Sequence, residues 1–248
     1  MTAGLPVWGL ATLAGLALGS YAVTAALRFG RAEPSTLGRS HCDSCGQTLS
    51  FAQTVPVISY LRARGSCDVC RKPIDPIHLA GELGGLVVVL TAFLAPSLIR
   101  SPLLATLGLV LIAASAIDWK IGRLPDVLTG VVAIIGLSLA ALISLRAVEI
   151  GAGAAAIAFG LLQGLRWMAA RGGRDPGLGL GDVKMICALA LWLGAATPWM
   201  VAGGAVVGLI MMGMVRPPGG RMAFGPSLAA AAWIVGMGAE WGLWPTIV

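Results

Sequence analysis

Residues 177–196 read GLGLGDVKMICALALWLGAA, an apolar run with one acid, Asp182, at its start. Three glycines alternate with leucines just before that acid. A helix that crosses the hydrocarbon core of a membrane needs about 20 mainly apolar residues, and this run nearly supplies them. An ionisable side chain at membrane depth is costly unless it faces a cavity or a partner. The stretch therefore predicts a transmembrane helix with a functional carboxylate at its start.

The whole chain has the composition of a membrane protein. Of its 248 residues, 57% are hydrophobic and only 11% are charged, and the mean hydropathy is +0.88. Its 35 glycines suit transmembrane helices that approach closely through small side chains. We therefore expect an all-α membrane protein of about eight transmembrane helices with a small zinc-binding cytoplasmic loop domain. The apolar segments lie near residues 5–27, 79–98, 102–117, 126–145, 149–169, 183–196, 198–215 and 224–246.

The basic residues predict the orientation in the membrane. If the eight segments all cross, 15 of the 17 Lys and Arg residues fall on one side, and only Arg100 and Arg146 fall on the other. Short cytoplasmic loops retain positive charge, so both termini are expected outside and the long loop in the cytoplasm. The basic residues form no continuous face, so nucleic acid is not an expected partner. The first segment lacks a basic start and is expected to remain as a helix.

The polar stretch 28–78 is expected to form a module between a first helix, 1–27, and a membrane domain, 79–248. It carries two Cys-x-x-Cys pairs, Cys42 with Cys45 and Cys67 with Cys70. Each pair allows two thiolates of one turn to bind the same ion, and two pairs complete a tetrahedral site. A reducing cytoplasm disfavours disulfides, so structural zinc is the leading interpretation. Redox pairs, an iron–sulfur centre and an unmetallated site are the alternatives.

A second acid, Asp118, ends the segment 102–117, so two acids are expected on the same membrane face. Two carboxylates held close together cannot both ionise easily, and such a pair shares one proton. That arrangement is the machinery of aspartic proteolysis, in which one acid activates water and the other donates a hydrogen bond to the peptide carbonyl. The alternative for either acid alone is a helix cap or an interfacial anchor. Gly179 and Gly181 allow close approach of backbone, either to the partner acid or to an extended substrate.

These residues resemble those of the bifunctional type IV prepilin peptidases, and the likeness extends over nearly the whole chain. It is carried by Arg39-Ser40-His41-Cys42-Asp43-Ser44-Cys45-Gly46, Val55-Pro56-Val57-Ile58-Ser59-Tyr60-Leu61, Gly65-Ser66-Cys67, Cys70, Glu82, Ile117-Asp118, Leu124-Pro125-Asp126, Gly179-Leu180-Gly181-Asp182, Lys184 and Phe224-Gly225-Pro226.

The resemblance implies a peptidase of the bacterial inner membrane with Asp118 and Asp182 as its catalytic pair. Its substrates would be prepilins or pseudopilins, whose short basic leader lies in the cytoplasm and whose chain continues as an apolar helix in membrane lipid. The resemblance also implies N-methylation of the new N-terminus with S-adenosylmethionine. Gly179, Gly181, Lys184 and Glu82 are the expected substrate-binding residues.

Two other classes of function compete with this interpretation. An ion or small-solute transporter would use intramembrane carboxylates to bind cations, but it predicts acids near mid-membrane and an inverted repeat. Here the acids adjoin one face, and no repeat is apparent in the sequence. A noncatalytic scaffold that docks partners through the zinc loop would not need both aspartates.

Overall fold

The computed structural model describes residues 5–31, 38–173, 177–214 and 223–243. Within these ranges the chain forms nine α-helices and no extended β-strand. The α-helices are α1 Leu5–Gly30, α2 Ile58–Arg62, α3 Pro76–Phe93, α4 Ser101–Ile121, α5 Asp126–Ala141, α6 Leu145–Arg171, α7 Leu180–Leu193, α8 Thr197–Met214 and α9 Gly225–Glu240.

The predicted all-α fold is confirmed, and each predicted apolar segment contains one long helix of the described chain. Five stretches are long and apolar enough to cross a membrane, and one of them, Leu180–Met214, joins α7 and α8. The number of membrane crossings therefore stays a prediction. The predicted segment 224–246 extends past the described residues, and its helix α9 ends at Glu240.

Two helices extend beyond their apolar runs, α4 at its end and α7 at its start. The helix α4 continues beyond residue 117 to Ile121, because Gly122, with φ +68°, is the first residue to leave helical geometry. Asp118 is therefore inside the last turn of α4. The helix α7 starts at Leu180, three residues before the predicted segment, so Asp182 is inside its first turn. Both acids belong to helix ends, as the sequence predicted.

Helix contacts place the two acids at the same end of the bundle. The end of α4 meets the start of α9, where Asp118 contacts Gly225, and the start of α7 packs on Leu124 in the link after α4. At the opposite end, Arg100 at the start of α4 pairs with Glu240 at the end of α9 at 2.5 Å. Trp192 of α7 also donates to Glu240, at 3.3 Å. The helices α4, α7 and α9 are thus fastened at both ends.

Glycine allows α1 and α3 to cross backbone against backbone. Gly15 and Gly19 of α1 face Gly81 and Gly85 of α3, and both pairs have the four-residue spacing of small residues in membrane helix interfaces. A Cβ on Gly19 would lie 2.2 Å from the Gly81 carbonyl oxygen, and one on Gly85 would lie 2.3 Å from the Gly15 carbonyl oxygen. This crossing fixes α1 on α3 beneath the polar module.

We predict that Gly85→Ala lowers the stability of the detergent-solubilised protein by about 1–3 kcal/mol, since the added methyl group overpacks the crossing. Gly9→Ala is the matched control on α1, because nothing lies within 4 Å of a Cβ at that position. The thermal unfolding midpoint should fall for Gly85→Ala and stay constant or rise for Gly9→Ala. Equal midpoints for the two variants would contradict the backbone contact.

Candidate active site

Asp118 is buried at the end of α4, with 5% of the residue exposed. Its Oδ2 accepts a hydrogen bond of 2.7 Å from the backbone amide of Gly225, the first residue of α9. A Cβ on Gly225 would lie 2.7 Å from the same oxygen. The glycine is therefore needed for the helix start to reach the carboxylate. A buried carboxylate requires such a donor, and the amides at a helix N-terminus are aimed outward for this purpose.

Asp182 is half-buried in the first turn of α7. Its Oδ2 accepts a hydrogen bond of 3.1 Å from the Gly179 amide, so the side chain does cap its own helix. Gly181 lies against Leu124, where a Cβ would approach the Leu124 Cβ to 3.3 Å. The two glycines thus hold the start of α7 against the link that follows Asp118. The first turn of α7 therefore both caps the helix and orients the Asp182 carboxylate.

The structure places the two acids on neighbouring helix ends, because the start of α7 packs on Leu124, six residues after Asp118. The carboxylate of Asp182 lies within the electrostatic field of Asp118, and the positive charge of Arg166 at the end of α6 acts on it as well. Arg166 also donates a hydrogen bond to the Leu178 carbonyl, which ties α6 to the loop before α7. Two close carboxylates can share one proton and activate a water between them. The arrangement is capable of general acid–base hydrolysis.

Lys184 does not point at the acid pair. Its ammonium contacts both carboxylate oxygens of Asp126, at 2.8 and 2.9 Å, and so joins α7 to the start of α5. Lys184 follows Asp182 by two residues, which on a helix turns the side chain about 200° away. The start of α5 has no side-chain capping hydrogen bond, and the Asp126 carboxylate pairs with Lys184 instead.

Two residues of the candidate site, Gly225 and Arg166, are not predicted from the sequence. The signal for Gly225 was present, since Phe224-Gly225-Pro226 is a recurrent motif of the resembled family, but the partner of its amide is 107 positions away. The sequence predicts for Arg166 only a contribution to membrane orientation. Nothing in its local sequence separates it from other basic residues at helix ends.

The four paired cysteines converge in the polar module. The sulfurs of Cys42, Cys45, Cys67 and Cys70 all lie within 4.8 Å of one another, and those of Cys42 and Cys70 are 3.9 Å apart. A tetrahedron with metal–sulfur distances of about 2.3 Å has edges of about 3.8 Å. The cluster can therefore hold one metal ion. Cys187 lies in α7, outside the cluster.

Two equivalent turns build this cluster. The Cys42 amide donates to Gln47 and the Gly46 amide donates back to Cys42; the Cys67 amide donates to Lys72 and the Arg71 amide donates back to Cys67, all at 2.9 Å. In the second turn the amides of Cys70 and Val69 lower the pKa of the Cys67 thiol to about 7. A lowered pKa favours the thiolate form of cysteine, which is the form that binds a metal.

Ion pairs attach the module to the helices. Asp43 contacts His78 of α3 at 3.2 Å and Arg31 at 2.8 Å, and these partners hold the pKa of Asp43 well below its ordinary value. Asp75 caps α3 by accepting from the Ile77 amide and also pairs with Lys120 of α4. Partial burial opposes ionisation of Asp75, but Lys120 and the amide lower its pKa. The module is thereby connected to the helix that carries Asp118.

Glu82 lies apart from the aspartate pair, in α3 near the module. Only 8% of the residue is exposed. One carboxylate oxygen accepts from the Ser20 hydroxyl of α1 at 3.0 Å, and the other accepts from the Val57 amide at 2.7 Å. Glu82 therefore links α1, α3 and the module.

Two family models match different parts of the chain. The model described as "Bacterial Peptidase A24 N-terminal domain" matches residues 13–95, which include the cysteine cluster and Glu82. The model described as "Type IV leader peptidase family" matches residues 105–213, which include Asp118 and Asp182. Gly225 lies outside both matches.

Curated relatives carry corresponding names. A prepilin leader peptidase/N-methyltransferase of Burkholderia pseudomallei is 38% identical over 213 residues, which cover 77% of this chain and 64% of the relative. The similar "Type 4 prepilin-like proteins leader peptide-processing enzyme" of Escherichia coli O78:H11 is 32% identical over 199 residues, 78% of this chain and 73% of the relative. A Dichelobacter nodosus prepilin leader peptidase/N-methyltransferase is 34% identical over 205 residues, 79% and 69% of the two chains.

The chain thus spans 64% of the length of the Burkholderia relative. No solved structure gives a significant match. None of these comparisons supports the transporter alternative, and the likeness first inferred from the motifs is confirmed. The chain belongs to the type IV leader peptidase family.

Proposed function

We propose that the protein is an intramembrane aspartic endopeptidase that removes the leader peptide of type IV prepilins or pseudopilins. The observation that supports the proposal is the placement of Asp118 and Asp182, 64 positions apart in the chain, on neighbouring helix ends at the same end of the bundle. The names of the relatives, which describe leader peptidases, support the choice of substrate.

In the proposed reaction a water molecule is held between the two carboxylates. The ionised acid takes a proton from the water as its oxygen attacks the peptide carbonyl, and the protonated acid donates a hydrogen bond to the carbonyl oxygen. When the carbon–nitrogen bond breaks, a proton passes to the leaving amine, which becomes the N-terminus of the mature pilin. The pair ends with one shared proton, as it began.

Neighbouring groups support these roles. The Gly225 amide fixes the orientation of the buried Asp118 carboxylate. Arg166 supplies positive charge beside Asp182 and so offsets the repulsion between the acids. The extended backbone at Gly179, with φ −65° and ψ 149°, suits an extended substrate lying alongside it. Gly179, Gly181, Lys184 and Glu82 remain proposed substrate contacts.

The proposed location is the bacterial inner membrane, with the module and the acid pair at the cytoplasmic face. The excess of Lys and Arg on that side supports the orientation. A prepilin leader is short and basic and would approach from the same side, while its apolar helix stays in lipid. The cut point would then lie at the membrane boundary, where the two acids are.

We propose that the four cysteines hold a structural zinc ion and that the protein also methylates the new N-terminus. The thiol cluster fits zinc because its spacing is close to the edges of a zinc–sulfur tetrahedron. Among the described residues of the module, Cys67 is the one buried apolar side chain, so the module has little hydrophobic core. A bound metal would therefore contribute much of the free energy of folding of the module. The methyltransferase names of the relatives support the second activity.

We predict that Asp118→Asn and Asp182→Asn each lower the rate of prepilin cleavage by about 1,000-fold or more, because the pair acts as a unit. Glu149→Gln is the control, since this exposed carboxylate lies in the first half of α6, away from the pair. Purified variants should be compared on an intact prepilin by gel shift. Undiminished cleavage by either asparagine variant would remove the aspartic mechanism.

We predict that Gly225→Ala reduces kcat/KM for cleavage by about 10- to 100-fold, the equivalent of losing one hydrogen bond to a charged group. Gly213→Ala in α8 is the matched control, because nothing lies within 4 Å of a Cβ there. Thermal midpoints should be measured alongside, so that misfolding is not mistaken for a catalytic effect. A folded Gly225→Ala protein with normal kcat/KM would contradict the requirement for glycine at this contact with Asp118.

We predict about one zinc per chain in the purified protein, as expected for a four-thiolate site. Cys42→Ser should lose most of this zinc because an alcohol is a poor ligand, whereas Cys187→Ser should keep it. Elemental analysis by mass spectrometry after dialysis measures both. Unchanged zinc in Cys42→Ser, or its loss in Cys187→Ser, would contradict the assignment of the site.

A further inference from the structure

The short helix α2 of the cysteine module has two different faces. On its inner face, Ser59 and Tyr60 line a cavity of about 770 Å³ between α1, α3 and the module. On its outer face, Ile58 and Leu61 are 65% and 66% exposed. These two residues are three positions apart, so they lie on the same side of the helix. The helix therefore presents an apolar face away from the rest of the protein.

A third exposed apolar side chain belongs to the same part of the module. Phe51, in the short turn Phe51–Gln53, is 87% exposed. This turn contacts α2, and the Ser59 amide donates to the Val55 carbonyl in the link between them at 3.0 Å. Large apolar side chains exposed together usually mark contact with a partner or a membrane. We call Phe51, Ile58 and Leu61 the outer patch.

One hydrogen bond fixes the level of the outer patch along the helices. The Val57 amide, directly before Ile58, donates to the Glu82 carboxylate at 2.7 Å, and Glu82 also accepts from the Ser20 hydroxyl at 3.0 Å. Ser20 lies ten residues before the end of α1 at Gly30, or about 15 Å along the axis. Glu82 lies six residues after the start of α3, or about 9 Å. The helix α2 therefore lies beside α1 and α3 and not beyond their ends.

Both of these helices are apolar at that level. The stretches Leu5–Phe29 and Pro76–Phe93 are each long and apolar enough to cross a membrane. The hydrocarbon core of a bilayer is about 30 Å thick, and the 18 residues of α3 span about 27 Å. In a bilayer that α3 crosses, Glu82 would lie close to the boundary between headgroups and hydrocarbon. The outer patch beside it is at the level where apolar side chains of interfacial segments enter lipid.

The backbone before α2 is held at this level under strain. Val57 has φ +61° and ψ −51°, and the Ile58 amide donates to the Pro56 carbonyl at 2.6 Å. This is a tight three-residue turn that a β-branched residue rarely adopts. Such strain persists where the surrounding structure enforces it. Because the buried Glu82 holds the Val57 amide, α2 cannot move away from α3 without losing that hydrogen bond.

Positive charge accompanies the outer patch. Arg62, the last residue of α2, is exposed, and Arg64 follows two positions later. Neither forms a salt bridge with a carboxylate of the described residues. Basic side chains beside an apolar face are typical of segments that lie in the interface of a membrane containing anionic lipids. The charge of this segment therefore complements an anionic phospholipid headgroup.

We propose that the outer patch is a lipid-contact surface, in which Phe51, Ile58 and Leu61 enter the cytoplasmic leaflet and Arg62 binds anionic phospholipid headgroups. The proposal rests on the membrane location given under the proposed function and on no activity of the acid pair. Such a contact holds α2 at a fixed depth and so orients the cysteine module on α1 and α3. A segment of the pilin substrate is the competing occupant.

Photo-cross-linking identifies what covers the outer patch. The full-length protein, purified with zinc present, carries p-benzoylphenylalanine in place of Ile58 or Leu61. Each variant is reconstituted with an intact prepilin in vesicles of phosphatidylcholine and phosphatidylglycerol. Because both side chains are exposed, neither replacement should alter folding. After irradiation, mass spectrometry of the digested protein should find phospholipid attached at both positions.

Thr48 is the matched control position in the same module. It is exposed and bridges to His41, two residues before Asp43. Asp43 contacts Arg31, which lies beyond the end of α1, so this part of the module is further from the membrane than α2. Residue 48 should therefore give several-fold less lipid adduct. Adducts with prepilin instead of lipid at residues 58 and 61, or no more lipid there than at residue 48, would overturn the proposal.

The composition of the attached lipid tests the role of Arg62. In vesicles with equal amounts of the two lipids, the Leu61 variant should capture phosphatidylglycerol about three- to fivefold more often, the preference expected from one basic residue near the surface. Adding Arg62→Gln should bring this ratio towards one, whereas Arg62→Lys should largely keep it. A ratio near one with Arg62 present, or a preference that Arg62→Gln leaves unchanged, would contradict headgroup binding.

Leader cleavage in the same vesicles separates this proposal from the proposed function. The wild-type protein should cleave the intact prepilin, and the variants at residues 58 and 61 should capture lipid. Lipid adducts without cleavage by wild type would support the lipid contact and contradict the peptidase activity. Cleavage without lipid adducts would contradict the lipid contact alone.

Discussion

The hydrogen bond from the Gly225 amide to the Asp118 carboxylate holds the candidate centre together. It closes the end of α4 against the start of α9 and gives a buried acid the donor that it requires. A different contact brings Asp182 to the same end of the bundle. The glycine-rich start of α7 packs on the link that follows α4. The two acids lie at the same end of the bundle because glycines permit three helix ends to converge.

The aspartate pair and a neighbouring cavity share this end of the bundle but differ in construction. The aspartate pair is built from helix ends, where Asp118 is buried and Asp182 is half-buried. The neighbouring cavity is built from one helix pair and a small module that four cysteines organise. The Asp75–Lys120 ion pair and the packing of Leu27 connect the two.

The sequence predicts the all-α fold and the chemistry-bearing residues because both depend on local pattern. Apolar runs identify the helices, paired cysteines identify the metal cluster, and acids beside apolar runs identify the candidate centre. Helix ends were less predictable. The helix α4 ends at Ile121, four residues after the apolar run, because Gly122 takes a left-handed conformation. A hydropathy profile does not locate the end of α4, because a helix tolerates polar residues such as Asp118 and Lys120 in its last turn.

The contacts made over long sequence distances could not be predicted. The partner of the Gly225 amide, the approach of Arg166 to Asp182 and the burial of Glu82 between Ser20 and Val57 are all tertiary. The strained turn at Val57 is also a product of packing, because β-branched residues avoid that conformation on their own. These tertiary contacts determine which of the candidate residues lie together in the folded protein.

The central claim is that Asp118 and Asp182 act together on one peptide bond. An experimental structure with a pilin peptide whose scissile carbonyl is replaced by a secondary alcohol measures this directly. The account predicts the hydroxyl oxygen within about 2.6–3.2 Å of a carboxylate oxygen of each aspartate. A hydroxyl group bound by only one of them, or bound elsewhere in the protein, would contradict it.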